Sequence, residues 1–272
     1  MQTTLRQSGD PDDASRLQPV YQANGLTLRF GGVVALAEVD IAIRHDETLA
    51  VIGPNGAGKT SLLNTLSGFY RPQSGRLSLL GRDVTGCSTH VLARLGVART
   101  FQGAHLFPGL TVLDNILVGR HARMRYGILQ AAAFYPFACR EEVRHREAVE
   151  EIIEFLEIES IRHRLVGTLG YGLRKRVDLA RALAMEPKLL LMDEPMAGMN
   201  LEEKEDLARF ILDLREARKI PVVLVEHDMS VVMDLADRVV VLDFGRKIAD
   251  GSPGDIQRDP YVISAYLGAG VP

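Results

Sequence analysis

An apolar run, Thr48-Leu49-Ala50-Val51-Ile52, leads without a break into Gly53-Pro54-Asn55-Gly56-Ala57-Gly58-Lys59-Thr60, and helix-forming residues follow. No other stretch restricts the fold so tightly. The loop satisfies G-x-x-x-x-G-K-T, a pattern whose meaning depends on lying between a strand and a helix. Its glycines let successive backbone N–H groups curl around a phosphate with no Cβ in the way. A helix starting at Lys59 adds unpaired donors and a favourable dipole. Lys59 is then placed to reach β- and γ-phosphates, and the Thr60 hydroxyl to ligate magnesium.

The rest of the chain reads as strands alternating with helices, which predicts an α/β core. Leu26, Leu28 and Phe30 alternate with Thr27 and Arg29 as in a half-buried strand; Gly31-Gly32 ends it, and 39–43 gives a second one. The helix after the loop should run over 59–67 and stop at Gly68. Residues 69–100 read as short extended pieces separated by Gly75, Gly81 and Gly86, and 119–139 as the least regular part. Over 140–157 Ala148, Ile152, Phe155 and Leu156 share one face of a helix. A second helix is expected over 174–185, ended by Pro187, so that 140–185 forms an inserted helical lobe. Residues 189–192 are unbroken apolar, as in a central parallel strand covered on both faces. Asn200 and Glu203 have the spacing of a capping pair for a helix to about 218. A strand at 222–225, a helix capped by Asp228 and a strand at 239–242 close the series.

The strand at 189–192 ends in Asp193-Glu194. A carboxylate at the edge of a core requires a cation or hydrogen-bond donors. Asp193 suits magnesium, directly or through water, and Glu194 suits polarising the water that attacks a γ-phosphate. Such chemistry depends mainly on positioning and electrostatic stabilisation. The formal charge of −3 gives no electropositive signature of nucleic-acid binding. Cys87 and Cys139 match no zinc spacing and are too few for a disulfide scaffold, which points to a reducing compartment. No run approaches 18 apolar residues, so no transmembrane helix is expected. Residues 1–20 are polar, contain Asp10, Asp12 and Asp13, and read as a flexible extension rather than a signal peptide.

Taken together, these motifs resemble the ATP-binding cassette family over nearly the whole chain. The resemblance implies a P-loop ATPase domain over 21–268: a RecA-like core, an antiparallel β subdomain and a helical lobe inserted at about 103–185. It implies ATP and Mg2+, with nucleotide contacts from Phe30 (stacked on adenine), Gly53, Asn55, Gly56, Gly58, Lys59, Thr60, Ser61 and Gln102. Thr60, Gln102 and Asp193 match the metal positions, and Glu194, His227 and Lys59 the catalytic ones. Leu169-Gly170-Tyr171-Gly172-Leu173 stands in the place of the family signature LSGGQ, and Gly198, Met199 and Asn200 match the dimer-contacting loop. The signature departs from the family pattern, with Gly170 for its serine and Leu173 for its glutamine. Tyr171-Gly172 looks like the A-Y-G-Q variant of LivG-type subunits of branched-chain amino acid importers. Arg99-Thr100-Phe101-Gln102, Ala197-Gly198-Met199-Asn200 and Glu226-His227-Asp228-Met229 are similar to the same branch.

That resemblance implies hydrolysis coupled to import of a small solute. Branched-chain amino acids come first; urea, amides or other amino acids are alternatives, as is a non-transport ATPase of the same family. The partners implied are a LivF-like second ATPase subunit or a second copy of the chain, two transmembrane permease subunits, and a periplasmic or lipid-anchored solute-binding protein. No nucleic acid is implied. The chain would then sit on the cytoplasmic face of the inner or plasma membrane, held through the permeases by a surface over 105–117 and up to Phe137.

Overall fold

Unbroken apolar strand segments have to cover both faces, and residues 49–52 and 189–192 do so in the interior of a computed structural model that describes residues 18–103, 105–121, 123 and 135–268. Residues 1–17 of the expected extension, and 122 and 124–134 of the expected irregular stretch, lie outside the described residues.

Two sheets organise the chain. The first is antiparallel, in the order β2-β1-β4-β5, from β1 (Tyr21–Phe30), β2 (Val33–Ile43), β4 (Ser74–Leu79) and β5 (Arg82–Asp83). The second has the order β10-β9-β3-β8-β7-β6, from β3 (Thr48–Ile52), β6 (Val97–Arg99), β7 (Leu189–Asp193), β8 (Val222–Val225), β9 (Arg238–Asp243) and β10 (Arg246–Gly251). Its pairings are parallel except for the β9–β10 hairpin. The helices among the described residues are α1 (Lys59–Leu66), α2 (Thr89–Leu95), α3 (Val112–Arg120), α4 (Tyr135–Phe155), α5 (Tyr171–Leu183), α6 (Leu201–Glu216), α7 (Met229–Leu235), α8 (Pro253–Arg258) and α9 (Pro260–Gly268).

The two-residue period of a strand distributes the core. Leu189, Leu191, Val223 and Val225 pack with Leu26, Leu36, Leu62 and Leu63, which locks the antiparallel sheet and α1 onto one face. Leu190, Met192, Val222 and Leu224 point the other way, into a core shared with Ile116, Ile153, Val177, Phe210 and Leu214. Ala50, Ile52, Val239 and Val241 pack with Ile256 of α8 and Val262 of α9. The sheet end bearing the phosphate loop is therefore backed by packed side chains on both faces.

Five expectations are corrected. Residues 89–95 are helical, not extended; α2 ends at Gly96 in the left-handed conformation. Gly75 lies inside β4 rather than between pieces; it is glycine because the strand runs so close to β1 that a Cβ there would stand 2.6 Å from the Gly25 carbonyl oxygen. The helix expected from residue 140 starts at Tyr135, and the one expected from 174 starts at Tyr171 and so includes the signature positions. Strand β9 does not close the series: β10 folds back on it, and α8 and α9 follow.

Candidate nucleotide site

The phosphate loop joins β3 to α1 at the carboxyl end of the parallel sheet. Gly58 has φ +103, and a Cβ on it would stand 2.5 Å from the Ala35 carbonyl oxygen, so neither its conformation nor its space admits another residue. Among the described residues, the N–H groups of Gly56, Gly58, Lys59, Thr60 and Ser61 donate to no backbone acceptor. They form a concave set of free donors at a helix N-terminus, which is what a phosphate requires. Lys59 is 8% exposed. Its ammonium donates to the carbonyls of Gly53 at 2.7 Å and Pro54 at 3.0 Å. Burial lowers its pKa, while the charges of Glu194 and Asp193 push it back up.

The acidic centre forms where β7 ends. Asp193, 5% exposed, accepts from the Arg99 guanidinium at 2.9 Å through Oδ2; Arg99 also donates to Asn64 at 2.5 Å and Ser67 at 3.2 Å. Glu194 takes φ +45, an unusual backbone for a residue with a side chain. Its N–H is held by the Val225 carbonyl at 2.9 Å. The Gln102 amide donates to its Oε2 at 2.7 Å. His227 Nδ1 lies 3.9 Å from Glu194 Oε1 and 3.9 Å from Glu226 Oε2. The fold thus brings Gln102, Glu194 and His227, three separate expectations, into one cluster, and places Asp193 beside it.

Glu226 was not singled out from the sequence. It is 1% exposed, accepts from the N–H groups of Met196 at 3.1 Å and His227 at 3.3 Å, and burial pushes its carboxyl pKa up. The available signal was the one that exposed Asp193: an acid directly after an apolar strand.

Phe30 stands apart, at the end of β1, 45% exposed and packed edge-on against Tyr70 with ring centroids 4.9 Å apart. The signature positions lie on the helical side. Leu169 is buried, Gly170 is the N-cap of α5, Tyr171 and Gly172 open that helix, and Leu173 packs on the helical core. Gly198 has φ +77, and a Cβ on it would lie 3.3 Å from the Tyr171 ring, so the dimer-loop and signature positions abut within one chain. Asn200 caps α6 through a reciprocal pair with Glu203.

The residues present fit magnesium. Thr60, Gln102 and Asp193 offer the oxygen ligands that a hard cation takes, and Asp193 Oδ1 has no protein donor among the described residues while Oδ2 pairs with Arg99. Among the described residues no cluster of three or more His, Cys, Asp or Glu could hold a metal.

Comparison with known proteins decides the family. The family described as ABC transporter matches residues 36–197, more than half of the chain. The chain belongs to the ABC transporter family. A second family, the branched-chain amino acid ATP-binding cassette transporter, matches residues 246–272, which begin at β10 and take in α8 and α9. The chain is 40% identical to a high-affinity branched-chain amino acid transport ATP-binding protein, BraF, of Pseudomonas aeruginosa, over 92% of this chain and 98% of that protein. It is 38% identical to LivG of Salmonella typhimurium, over 92% and 98%. A solved ATP-binding cassette of an ABC transporter in its ADP conformation is 30% identical, with a TM-score of 0.80, covering 92% of this chain and 99% of that one. The expected architecture of RecA-like core, antiparallel sheet and helical lobe is that of these cassettes. The protein is an ATP-binding subunit of the branched-chain amino acid group of ABC transporters, an ATPase that energises transport.

Proposed function

We propose that this ABC ATPase drives an importer of branched-chain amino acids, with Lys59, Glu194 and His227 as its catalytic residues. The observation that carries the site assignment is the Gln102–Glu194–His227 cluster standing beside Asp193 and Lys59. The solute assignment is supported by the C-terminal family match and by the relatives' names.

In this reading the free N–H groups from Gly56 to Ser61 cradle the phosphates together with Lys59, and Phe30 carries the adenine. Thr60, Gln102 and Asp193 would hold magnesium, which supplies charge neutralisation across the phosphates when bound. Glu194 accepts a proton from the attacking water; the left-handed backbone and the Gln102 amide fix its direction. His227 faces the same space and steadies negative charge developing at the γ-phosphate. The chain pairs with a second ATPase subunit through Leu169–Leu173 and Gly198–Asn200. Its permeases dock on the helical lobe near Phe107 and Leu110, which are 51% and 38% exposed, whereas Val112, in the same stretch, is fully buried and packs the lobe.

The test is ATP-driven uptake by proteoliposomes holding the chain with its permeases and binding protein. Leucine, isoleucine or valine should accumulate. With Glu194→Gln, single-turnover hydrolysis should slow by about 10²–10⁴-fold while MgATP affinity stays within about twofold. Wild-type hydrolysis by that variant removes Glu194 from the mechanism, and uptake of some other solute instead overturns the substrate class.

A further inference from the structure

Lys175 is 4% exposed in the middle of α5, although a buried ammonium is unfavourable unless it is paired or hydrogen-bonded. Its partners are two consecutive carbonyls on another part of the chain: Gln102 at 2.6 Å and Phe101 at 3.4 Å. One turn earlier on the helix, the Tyr171 hydroxyl donates to the same Gln102 carbonyl at 3.3 Å. One turn later, Asp178 Oδ2 accepts from the Phe101 N–H at 3.1 Å. Arg181 then pairs with Asp178 at 2.6 Å and bonds the His105 carbonyl. These spacings of three and four put all four side chains on one face of the helix. The backbone of residues 101–102 is gripped at two carbonyls and one amide by that single face. The side chain of the gripped residue, Gln102, is the one that reaches Glu194 at 2.7 Å.

We propose that Lys175 is a positioning residue for Gln102: it fixes the Gln102 backbone to α5, so that the Gln102 amide meets Glu194 and moves only with the Gly170–Tyr171 end of that helix. This rests on the roles proposed for Gln102 and Glu194. Tyr171 alone cannot replace the lysine, because it reaches one of the two carbonyls and carries no charge to face Asp178. A displacement of about 1 Å at a positioning group is enough to slow a reaction by one to two orders of magnitude while leaving the phosphate contacts intact. The helix that presents the signature to a partner's nucleotide thereby also sets a contact in this chain's own site.

The experiment compares Lys175→Met, which keeps length and loses the donors, with Lys175→Arg, which keeps the charge, in the full chain. With Lys175→Met, kcat should fall about tenfold and KM for MgATP should stay within about twofold; Lys175→Arg should recover activity to within about threefold of wild type. In a Gln102→Ala background, Lys175→Met should cost less than about twofold, because the group it positions is already gone. Hydrogen exchange at the Phe101 amide should quicken at least about tenfold in Lys175→Met. An equal loss in both backgrounds, a loss carried by KM, or unchanged exchange overturns the proposal. If Lys175→Met shows no cooperative unfolding transition, Lys175→Gln, which keeps one donor, is judged on the same criteria. If Gln102→Ala hydrolyses ATP at the wild-type rate, the assigned role of Gln102 falls, and the exchange measurement alone then decides whether the grip exists.

Discussion

Lys59 presses its ammonium against the carbonyls of its own loop at 2.7 and 3.0 Å. Those contacts hold the charge beside the free N–H groups of the loop. A charge-assisted hydrogen bond contributes about 1.5–3 kcal/mol, so Lys59→Ala should weaken MgATP affinity by about 10–100-fold in an equilibrium binding titration; unchanged affinity would contradict the role. Residues of this kind were legible in the sequence because they violate a local rule. Three glycines in six positions before a lysine, or two acids at the end of an apolar strand, make no sense for packing alone. Arg99 and Lys175 violate nothing locally. Their partners lie 94 and 73 residues away, at Asp193 and Gln102, and a basic residue on a polar helix face or strand end reads as solvated until the fold closes over it.

Elements announced themselves through caps and periodicity, and failed to where both were weak. Asn200 with Glu203 marked the start of α6, and Asp228 that of α7; both caps form. Helix α2 has seven residues, no side-chain cap bond and one buried side chain, Leu92, so no 3.6-residue pattern accumulates. At α7 the cap has a second function. Asp228 accepts from Lys204 at 2.8 Å, which joins α6 to α7, and the hydrogen bond from Lys204, then those from Ser230, pull its pKa well below the usual carboxylate range. A depressed folded-state pKa stabilises above the unfolded value of about 3.9 and is lost as pH falls below it toward the folded value. Asp228→Asn keeps an acceptor for the cap and removes the charge. It should lower stability at pH 7 by a few tenths to about 1 kcal/mol, given a pair open to solvent. In urea unfolding the gap from wild type should persist at pH 5 and narrow at pH 3. A gap that widens in acid would reverse the sign and refute the assignment.

At the scale of the molecule, among the described residues no helix is long and apolar enough to cross a membrane; in the proposed assembly the permeases dock on the surface of the helical lobe. Phe107→Glu together with Leu110→Glu should leave MgATP affinity of the isolated chain within about twofold, because both side chains are on the lobe surface, and should cut co-fractionation with the permeases at least about tenfold, the scale of losing an apolar hot spot. Unaltered co-fractionation would move the docking surface elsewhere. The relation between the two sheets was the least legible feature, since its packing and hydrogen bonds join segments far apart in the sequence. Gly245, in the β9–β10 turn, accepts from the Ala37 N–H of β2 at 2.8 Å and donates to the Ala57 carbonyl of the phosphate loop at 2.9 Å. That residue acts mechanically as a rivet between two plates. In the proposed reading Phe30 and Lys59 stand on plates joined by that rivet and by the core packed between them, so a nucleotide laid across them would meet a caliper whose jaws are set in advance, its length from base to last phosphate gauged against a fixed span.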